Sequence, residues 1–423
     1  MQKVIADLHI HSRFSRACSK QITIKNLANW AEIKGIDILS TSDFTHPKWL
    51  EEIKETLEDN GGGLFCLKDK SSKTHFILST EISCIYKKGD KTRRLHLCIL
   101  LSNLDSVDKF IKILESKGKN LKSDGRPILG IDAREIVDIA LNCDKKALVI
   151  PAHIWTPWFA ILGSKSGFDS IEECFEDYTK YIYALETGLS SDPSMNWLVS
   201  SLDKFLLVSN SDAHSLENLG REANAMMIEN FSYDEIYKVI KNKNKERFLY
   251  TIEFYPQEGI YYNDGHRNCK ISLSPEQSKK NKNICPVCKK PLTIGVLNRV
   301  MQLADRNAND IKKLTDKFIP YKSLVPLKKI ISETKNVGEN SKKVNEIYFD
   351  LIKKGKNEFN ILLDSSYEEI KKISGDENLV NAISKMRSGE ISIKPGYDGS
   401  YGKVQIFNDE EKKHFIIEQK KLF

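Results

Sequence analysis

Val4-Ile5-Ala6-Asp7-Leu8-His9-Ile10-His11-Ser12 opens the chain with a short apolar run that ends in a carboxylate and two imidazoles. Such a run predicts a buried strand that delivers polar side chains from its C-terminal end. The same punctuation recurs. Ile36 to Leu39 runs into Ser42-Asp43-Phe44-Thr45-His46, and Phe76-Ile77-Leu78 into Thr80-Glu81. His96 precedes Leu97 to Leu101, and Leu148-Val149-Ile150 leads to Pro151-Ala152-His153. Tyr181 to Leu185 ends in Glu186, and Phe205 to Val208 leads to Asp212-Ala213-His214. Six of the nine histidines sit at such strand edges. One histidine at a strand end is usually a hydrogen-bonding residue, but six with several carboxylates are hard to explain as packing. Imidazole with carboxylate suits zinc, manganese or iron at a multinuclear site.

Helical patterns lie between these strands. Thr23 predicts an N-cap for a helix through Trp30 and Ala31 that stops at Gly35. Further helices are expected near 47–58, 106–116, 132–142, 194–203 and 232–242. Strand alternating with helix over residues 1–255 predicts a parallel α/β sheet, open or closed into a barrel, whose strand ends converge on one face.

The chain has 423 residues, 40% apolar and 9% aromatic, enough for more than one folding unit and too apolar for a disordered or fibrous class. No apolar run approaches the ~18 residues of a membrane span, and no signal-peptide pattern follows Met1. Nine scattered cysteines fit a reducing cytoplasm better than a disulfide framework. Residues 1–264 carry 34 basic and 38 acidic side chains, residues 265–423 carry 31 and 20. An acidic body joined to a basic second part predicts a catalytic unit and a module that meets an anion.

In that second part His266-x2-Cys269 is followed, after fifteen residues, by Cys285-x2-Cys288. This spacing predicts one structural zinc held by four ligands. Arg267, Lys270, Lys279, Lys280, Lys282, Lys289 and Lys290 crowd the module, with Glu276 as its acidic residue. Helices are expected at 294–303, 326–334, 341–354, 367–373 and 378–386, then a hairpin around Pro395-Gly396-Tyr397-Asp398-Gly399. The expected organisation is a barrel over 1–255, a zinc module over 256–300, a mainly helical domain over 301–416 that would meet the anion, and a tail over 417–423.

Asp7-Leu8-His9-Ile10-His11-Ser12, Thr41-Ser42-Asp43, Ser79-Thr80-Glu81, Pro151-Ala152-His153 and Ser211-Asp212-Ala213-His214 resemble, in order, the motifs of the polymerase and histidinol phosphatase (PHP) superfamily. The resemblance implies a distorted seven-stranded barrel that hydrolyses phosphoesters with two or three divalent metals, taken as zinc, manganese or magnesium. It assigns one metal to His9, His11, Glu81 and Asp212, and a second to Glu81, His96 and His153. A third falls to His46 and His214, with Asp43 a ligand or a support. Catalytic work falls on Glu81, Asp212, His153 and His46. Ala17 and Phe44 depart from the pattern, since relatives often place a histidine or aspartate at the first and a histidine at the second; His46 stands two residues beyond Phe44. Paired cations acidify and orient a water and neutralise charge on the leaving oxygen.

With the His266-Cys269 and Cys285-Cys288 pairs, Leu292-Thr293-Ile294-Gly295-Val296-Leu297, Thr187 to Pro193 and Trp155-Thr156-Pro157-Trp158-Phe159, nearly the whole chain resembles the endonuclease Q family. That resemblance implies a DNA repair enzyme that nicks on the 5′ side of deaminated bases (uracil, hypoxanthine, xanthine) and abasic sites; a monomer is expected. DNA contacts are expected at Arg16, Arg93, Arg94, Trp155, Trp158 and Lys165. The ending Gln419-Lys420-Lys421-Leu422-Phe423 resembles a bacterial sliding-clamp motif, with Gln419, Leu422 and Phe423 as anchors. Three alternatives stand beside it: a small-molecule phosphatase needing only residues 1–255, a PHP nuclease without lesion specificity, and a binding protein on a degenerate barrel. Salt-sensitive DNA binding separates the enzyme classes.

Overall fold

The structure is a computed structural model that describes residues 1–408 and 411. Its centre is a mixed α/β sheet. Gln2–Asp7 pairs in parallel with Ile38–Ser40, which pairs in parallel with His75–Lys88. On its other edge Gln2–Asp7 runs antiparallel to Ala223–Ile228, followed by Phe248–Glu253. Tyr321–Ser323, from the second part of the chain, adds in parallel to Phe248–Glu253.

The expected alternation fails where His75–Lys88 meets Lys91–Leu101. These strands form a long antiparallel hairpin, registered from Leu78↔Leu101 to Lys88↔Lys91. The cause is the connection: Gly89-Asp90 leaves no room for a crossover, and a two-residue link permits only an antiparallel pair. Leu148–Pro151 then pairs antiparallel with Lys91–Leu101. Ala184–Glu186 and Leu206–Val208 form a parallel pair of their own.

The helices follow local chemistry. Thr23 caps Ile24–Lys34 by accepting from Asn26 N, and Gly35 closes it at φ 89°. Pro47–Thr56, Leu104–Ser116, Ala133–Cys143 and Tyr233–Asn242 occupy the expected places. The helix expected near 194–203 is broken instead into Pro193–Asn196 and a single turn at Ser200–Leu202. The Asp305 carboxylate takes Ser200 N at 2.8 Å and the Ser200 hydroxyl, capping a new start there.

Leu327–Lys335, Lys342–Gly355, Tyr367–Ser374 and Glu377–Ser388 form the helical part. Its core is continuous with that of the sheet region: one apolar cluster runs from Ile24, Trp49 and Phe44 through Ile330, Tyr348 and Ile383. A buried ion pair joins the two, Lys34 Nζ to Glu358 at 2.7 Å. Glu358 also accepts from Leu327 N (3.0 Å) and the Tyr348 hydroxyl (2.6 Å). Among the described residues no helix is long and apolar enough to cross a membrane. Gln419, Leu422 and Phe423 lie outside the described residues.

Candidate metal centre and nucleic-acid interface

Backbone hydrogen bonds draw the strand ends together. Asp212 N donates to His9 O (2.9 Å), His11 N to Ala213 O (3.0 Å), Ile154 N to Glu186 O (3.1 Å) and Ala152 N to His96 O (3.0 Å). The buried Asp7 carboxylate accepts from Ser211 N (3.0 Å) and Gly220 N (3.1 Å), fixing the last ligand loop to the first strand. Asp43, His153 and Asp212 all sit at positive φ, 42°, 31° and 46°. A non-glycine residue there is held against its preference at about 1 kcal/mol or more. Three such residues at one place mark a site whose geometry the surrounding bonds enforce.

Among the groupings whose ligand atoms lie within 4.8 Å of one another are His9, His11 and Asp212, and Glu81, His96 and His153. Glu81 joins them. Its Oε2 lies 3.2 Å from His11 Nε2, and its Oε1 lies 2.8 Å from His96 Nδ1 and 3.3 Å from His153 Nε2. Asp212 Oδ1 lies 3.0 Å from His11 Nε2 and 3.9 Å from His9 Nε2. His9 Nε2, His11 Nε2, Glu81 Oε1 and Asp212 Oδ1 are buried and find no hydrogen-bond partner. Buried polar atoms are ordinarily satisfied. A convergent set of orphaned nitrogen and carboxylate atoms fits divalent cations.

Supporting groups orient the imidazoles. Glu186 accepts from His9 Nδ1 at 3.0 Å, His153 N at 2.8 Å and Asn210 Nδ2 at 2.8 Å, which leaves His9 Nε2 facing inward. Asp43 does the same for His11: its Oδ1 lies 3.4 Å from His11 Nδ1, while Oδ2 accepts from Ser12 N and the Ser15 hydroxyl at 2.7 Å. Burial pushes Asp43 up, but His11, Ser12 and Ser15 bring it to about 2. Burial likewise raises Glu81, and His96, Arg126 and His9 hold it well below the carboxylate range. Burial pulls His96 down to about 4, so its imidazole is neutral near pH 7.

His46 and His214 are in neither grouping. The His46 ring stacks on Phe14 at 4.3 Å, and His214 Nδ1 lies 2.8 Å from Asp212 O.

Sequence reasoning missed two groups here and understated a third. Arg126 Nη1 stands 3.1 Å from Glu81 Oε2, in a loop with no strand-end motif to flag it. Cys98 is buried behind His9 and Glu186, one position past Leu97 on a strand read only for its apolar run. Glu186 was visible as a strand end, but its role as a clamp on His9 and His153 was not.

The second centre is local. His266, Cys269, Cys285 and Cys288 bring ligand atoms within 4.8 Å of one another. Asp264–His266 and Ile271–Leu273 form a short hairpin, and Cys285 N donates to Lys290 O at 2.8 Å in the second knuckle. Asp264 accepts from Gly295 N (2.6 Å) and Asn298 Nδ2 (2.5 Å), tying the module to the next helix.

The expected DNA-contact residues divide. Trp155 is fully buried and donates its indole N–H to Asn196 at 2.8 Å, so it has no free face. Trp158 is 38% exposed and packs edge-on to Tyr261. Arg16 and Lys165 are exposed, whereas Arg94 is half-buried. Arg93 lies 4.0 Å over the Phe168 ring and donates to Gly167 O. Lys165 and Arg93 share a cleft of about 440 Å³ with Lys91 and Arg299. A larger cavity, about 680 Å³, runs from Asp212 and His214 past Arg221 and Phe254 to Phe359 in the helical part.

Comparisons with known proteins extend over most of the chain. The lesion-specific endonuclease PfuEndoQ from Pyrococcus furiosus matches with TM-score 0.83 and 28% identity, over 96% of this chain and 95% of its own. An endonuclease Q complex with a 27-mer duplex bearing an abasic lesion matches with TM-score 0.83 and 28% identity, over 97% and 98%. The uncharacterised Bacillus subtilis protein YqxK is 27% identical over 96% of this chain and 100% of its own length. A family described as the MJ0043 C-terminal domain matches residues 326–390.

Proposed function

We propose, from the premise that this chain belongs to the endonuclease Q family, that it is a metal-dependent DNA repair endonuclease acting 5′ of deaminated bases or abasic sites. The observation that carries this is the buried, unpartnered set His9 Nε2, His11 Nε2, Glu81 Oε1 and Asp212 Oδ1 in a chain that is similar to endonuclease Q along its whole length. His9, His11, Glu81 and Asp212 would hold one cation, and Glu81, His96 and His153 a second. The strand ends that the hydrogen bonds above link, together with those before Asp43 and at Glu81, are read as the rim of a closed, distorted seven-stranded barrel. His266, Cys269, Cys285 and Cys288 would hold a structural zinc.

Bound there, divalent cations supply an activated water and charge neutralisation for phosphodiester hydrolysis. The chain's own residues do the rest. Glu186 and Asp43 keep the imidazole tautomers fixed. Arg126, beside Glu81 and partly exposed, can donate to a non-bridging phosphate oxygen at the mouth. The cavity beyond Asp212 and His214 gives an extruded nucleotide somewhere to go. Exposed Arg16, Lys165 and the basic cleft around Arg93 would track the backbone. A small-molecule phosphatase is not favoured, because it leaves the zinc ligands and the helical part without a use.

The test is incision of duplexes carrying one uracil, hypoxanthine, xanthine or abasic site beside an undamaged control. Expected is metal-dependent nicking 5′ of at least one lesion, leaving a 3′-hydroxyl. Equal cutting of the undamaged duplex overturns the lesion reading, and activity that survives full metal removal overturns the metal reading.

A further inference from the structure

An exposed aromatic side chain lines the cavity that Asp212 and His214 also line. Tyr401 is 82% exposed, the highest value among large apolar side chains of the described residues. It lies between Ser392–Lys394 and Lys403–Gln405 and lines the same cavity as Asp212, His214 and Arg221.

Exposure of this kind often means a frayed loop, and here the backbone is pinned on every side. Tyr397 and Ser400 exchange two hydrogen bonds, 3.0 and 2.8 Å, around Asp398-Gly399. Those two residues have φ of 44° and 82°, the conformation that two-residue hairpins take with Asp-Gly. Gly396 N donates to Gln257 O, Asn263 N to Gly396 O, Gly399 N to Ile260 O and Gly402 N to Glu258 O, all between 2.9 and 3.1 Å. A Cβ at Gly402 would lie 2.1 Å from Gln257 O, so the approach requires glycine. From the zinc module, Arg267 N donates to the Asp398 carboxylate at 2.6 Å. The segment is fixed before any ligand arrives, and the ring is its bare part.

A second observation points to the ligand's charge. Lys394 and Lys403 are direct cross-strand partners at the base of this hairpin, and both are exposed. Like charges placed opposite one another repel unless an anion lies between them.

We propose that Tyr401 is a stacking wedge. Its ring enters a damaged duplex at the step from which the lesion nucleotide is drawn toward Asp212 and His214, while Lys394 and Lys403 meet the phosphates beside that step. This rests on the endonuclease reading above. Withdrawing one nucleotide leaves its neighbours with an unstacked face, and an aromatic ring restores that contact without reading sequence.

The experiment uses the full-length, metal-loaded protein and Tyr401→Ala, Tyr401→Phe and Tyr401→Trp. Zinc content and thermal midpoint check that each variant is folded. Nicking is measured on a uracil duplex and on the same strand unpaired, where no stack needs refilling. Expected is a loss of about tenfold or more for Tyr401→Ala on the duplex, less than about twofold on the single strand, and near-normal activity for Phe and Trp. An unchanged duplex-to-single-strand ratio in Tyr401→Ala overturns the wedge. A second arm needs no chemistry: 2-aminopurine beside the lesion in an uncleaved duplex reports unstacking on binding. Tyr401→Ala should give a smaller fluorescence rise than the parent protein; equal rises, or none in the parent, overturn the wedge. Absence of nicking by the parent protein on both substrates would instead count against the endonuclease reading, and the two failures are thereby told apart.

Discussion

The two metal-capable centres of this molecule are built in opposite ways. The second draws its four candidate ligands from residues 266–288, a hairpin and a knuckle close in sequence. The first draws on residues from His9 to Asp212, converging only when separate strands are in register. The local centre is assembled by its own turns and can staple a fold. The distributed centre is assembled by the rest of the molecule, which pays for it in positive-φ aspartates, a positive-φ histidine and orphaned polar atoms. A closed four-ligand site resists exchange, whereas an open one keeps positions for substrate. On the proposed reading, the contrast separates a centre that would stabilise from one that would react.

The sharpest way to break this comparison is to remove a carboxylate from the distributed centre. Asp212→Asn or Glu81→Gln should lower nicking by about a thousandfold, the order of several kcal/mol of lost charge stabilisation, with folding and DNA binding retained. Single-turnover incision with a binding assay checks this. Near-normal turnover at limiting metal would mean that these residues do not hold the reacting cations.

Next come the groups behind the ligands. Glu186→Gln should weaken metal affinity by about 10- to 100-fold while leaving saturated activity closer to normal. Asp43→Asn should act similarly through His11. Titrating activity against added metal distinguishes this from a ligand loss, which excess metal does not repair.

The local centre should behave differently. Cys285→Ser is expected to release one equivalent of zinc, loosen residues 264–295 and reduce nicking of a lesion duplex at least about tenfold, which is about 1.4 kcal/mol of binding. Mild chelation should do the reverse, silencing the enzyme reversibly while that zinc stays bound. Simultaneous loss of both metals under mild chelation would erase the distinction.

The smallest effect concerns two carboxyls near Glu186. Burial, and then their mutual repulsion with Glu186, pushes Glu222 well above the carboxylate range; burial does the same to Glu253. A raised folded pKa favours the protonated form, so its stability contribution is complete below the unfolded pKa near 4.5 and is lost as pH rises toward the folded value. Glu222→Gln removes that loss. Its thermal midpoint should exceed the parent's by a few degrees near pH 8 and match it near pH 5, and a gain that shrinks with rising pH would refute the assignment.

The sequence made these centres legible to different depths. His266, Cys269, Cys285 and Cys288 are readable because their spacing is the geometry. His9, His11, Glu81, His96, His153 and Asp212 are readable because each follows or borders an apolar run, although the sheet is not the uniform parallel one expected. The link Gly89-Asp90 carried that information and was outweighed by the strand–helix rhythm. Ala223–Ile228 was not foreseen because Ala-Asn-Ala-Met carries little β-branched signal. Trp155 looked like a stacking residue because it follows His153, yet it is buried and its indole N–H is taken by Asn196, far along the chain. Arg126 and Tyr401 stand on loops, where no periodicity announces a neighbour across space.

The Lys34–Glu358 pair carries a last consequence. A charge pair sealed between two parts of a protein is costly to separate, and here it is backed by Tyr348 and by an apolar core shared across the junction. A junction held that way favours a fixed spacing between the two parts. If the enzyme stays stiff, the double helix must yield, and its own elasticity becomes part of selectivity. The same lesion set in a pliant pyrimidine–purine step should then be cut faster than in a rigid A-tract, with no side chain reading either sequence.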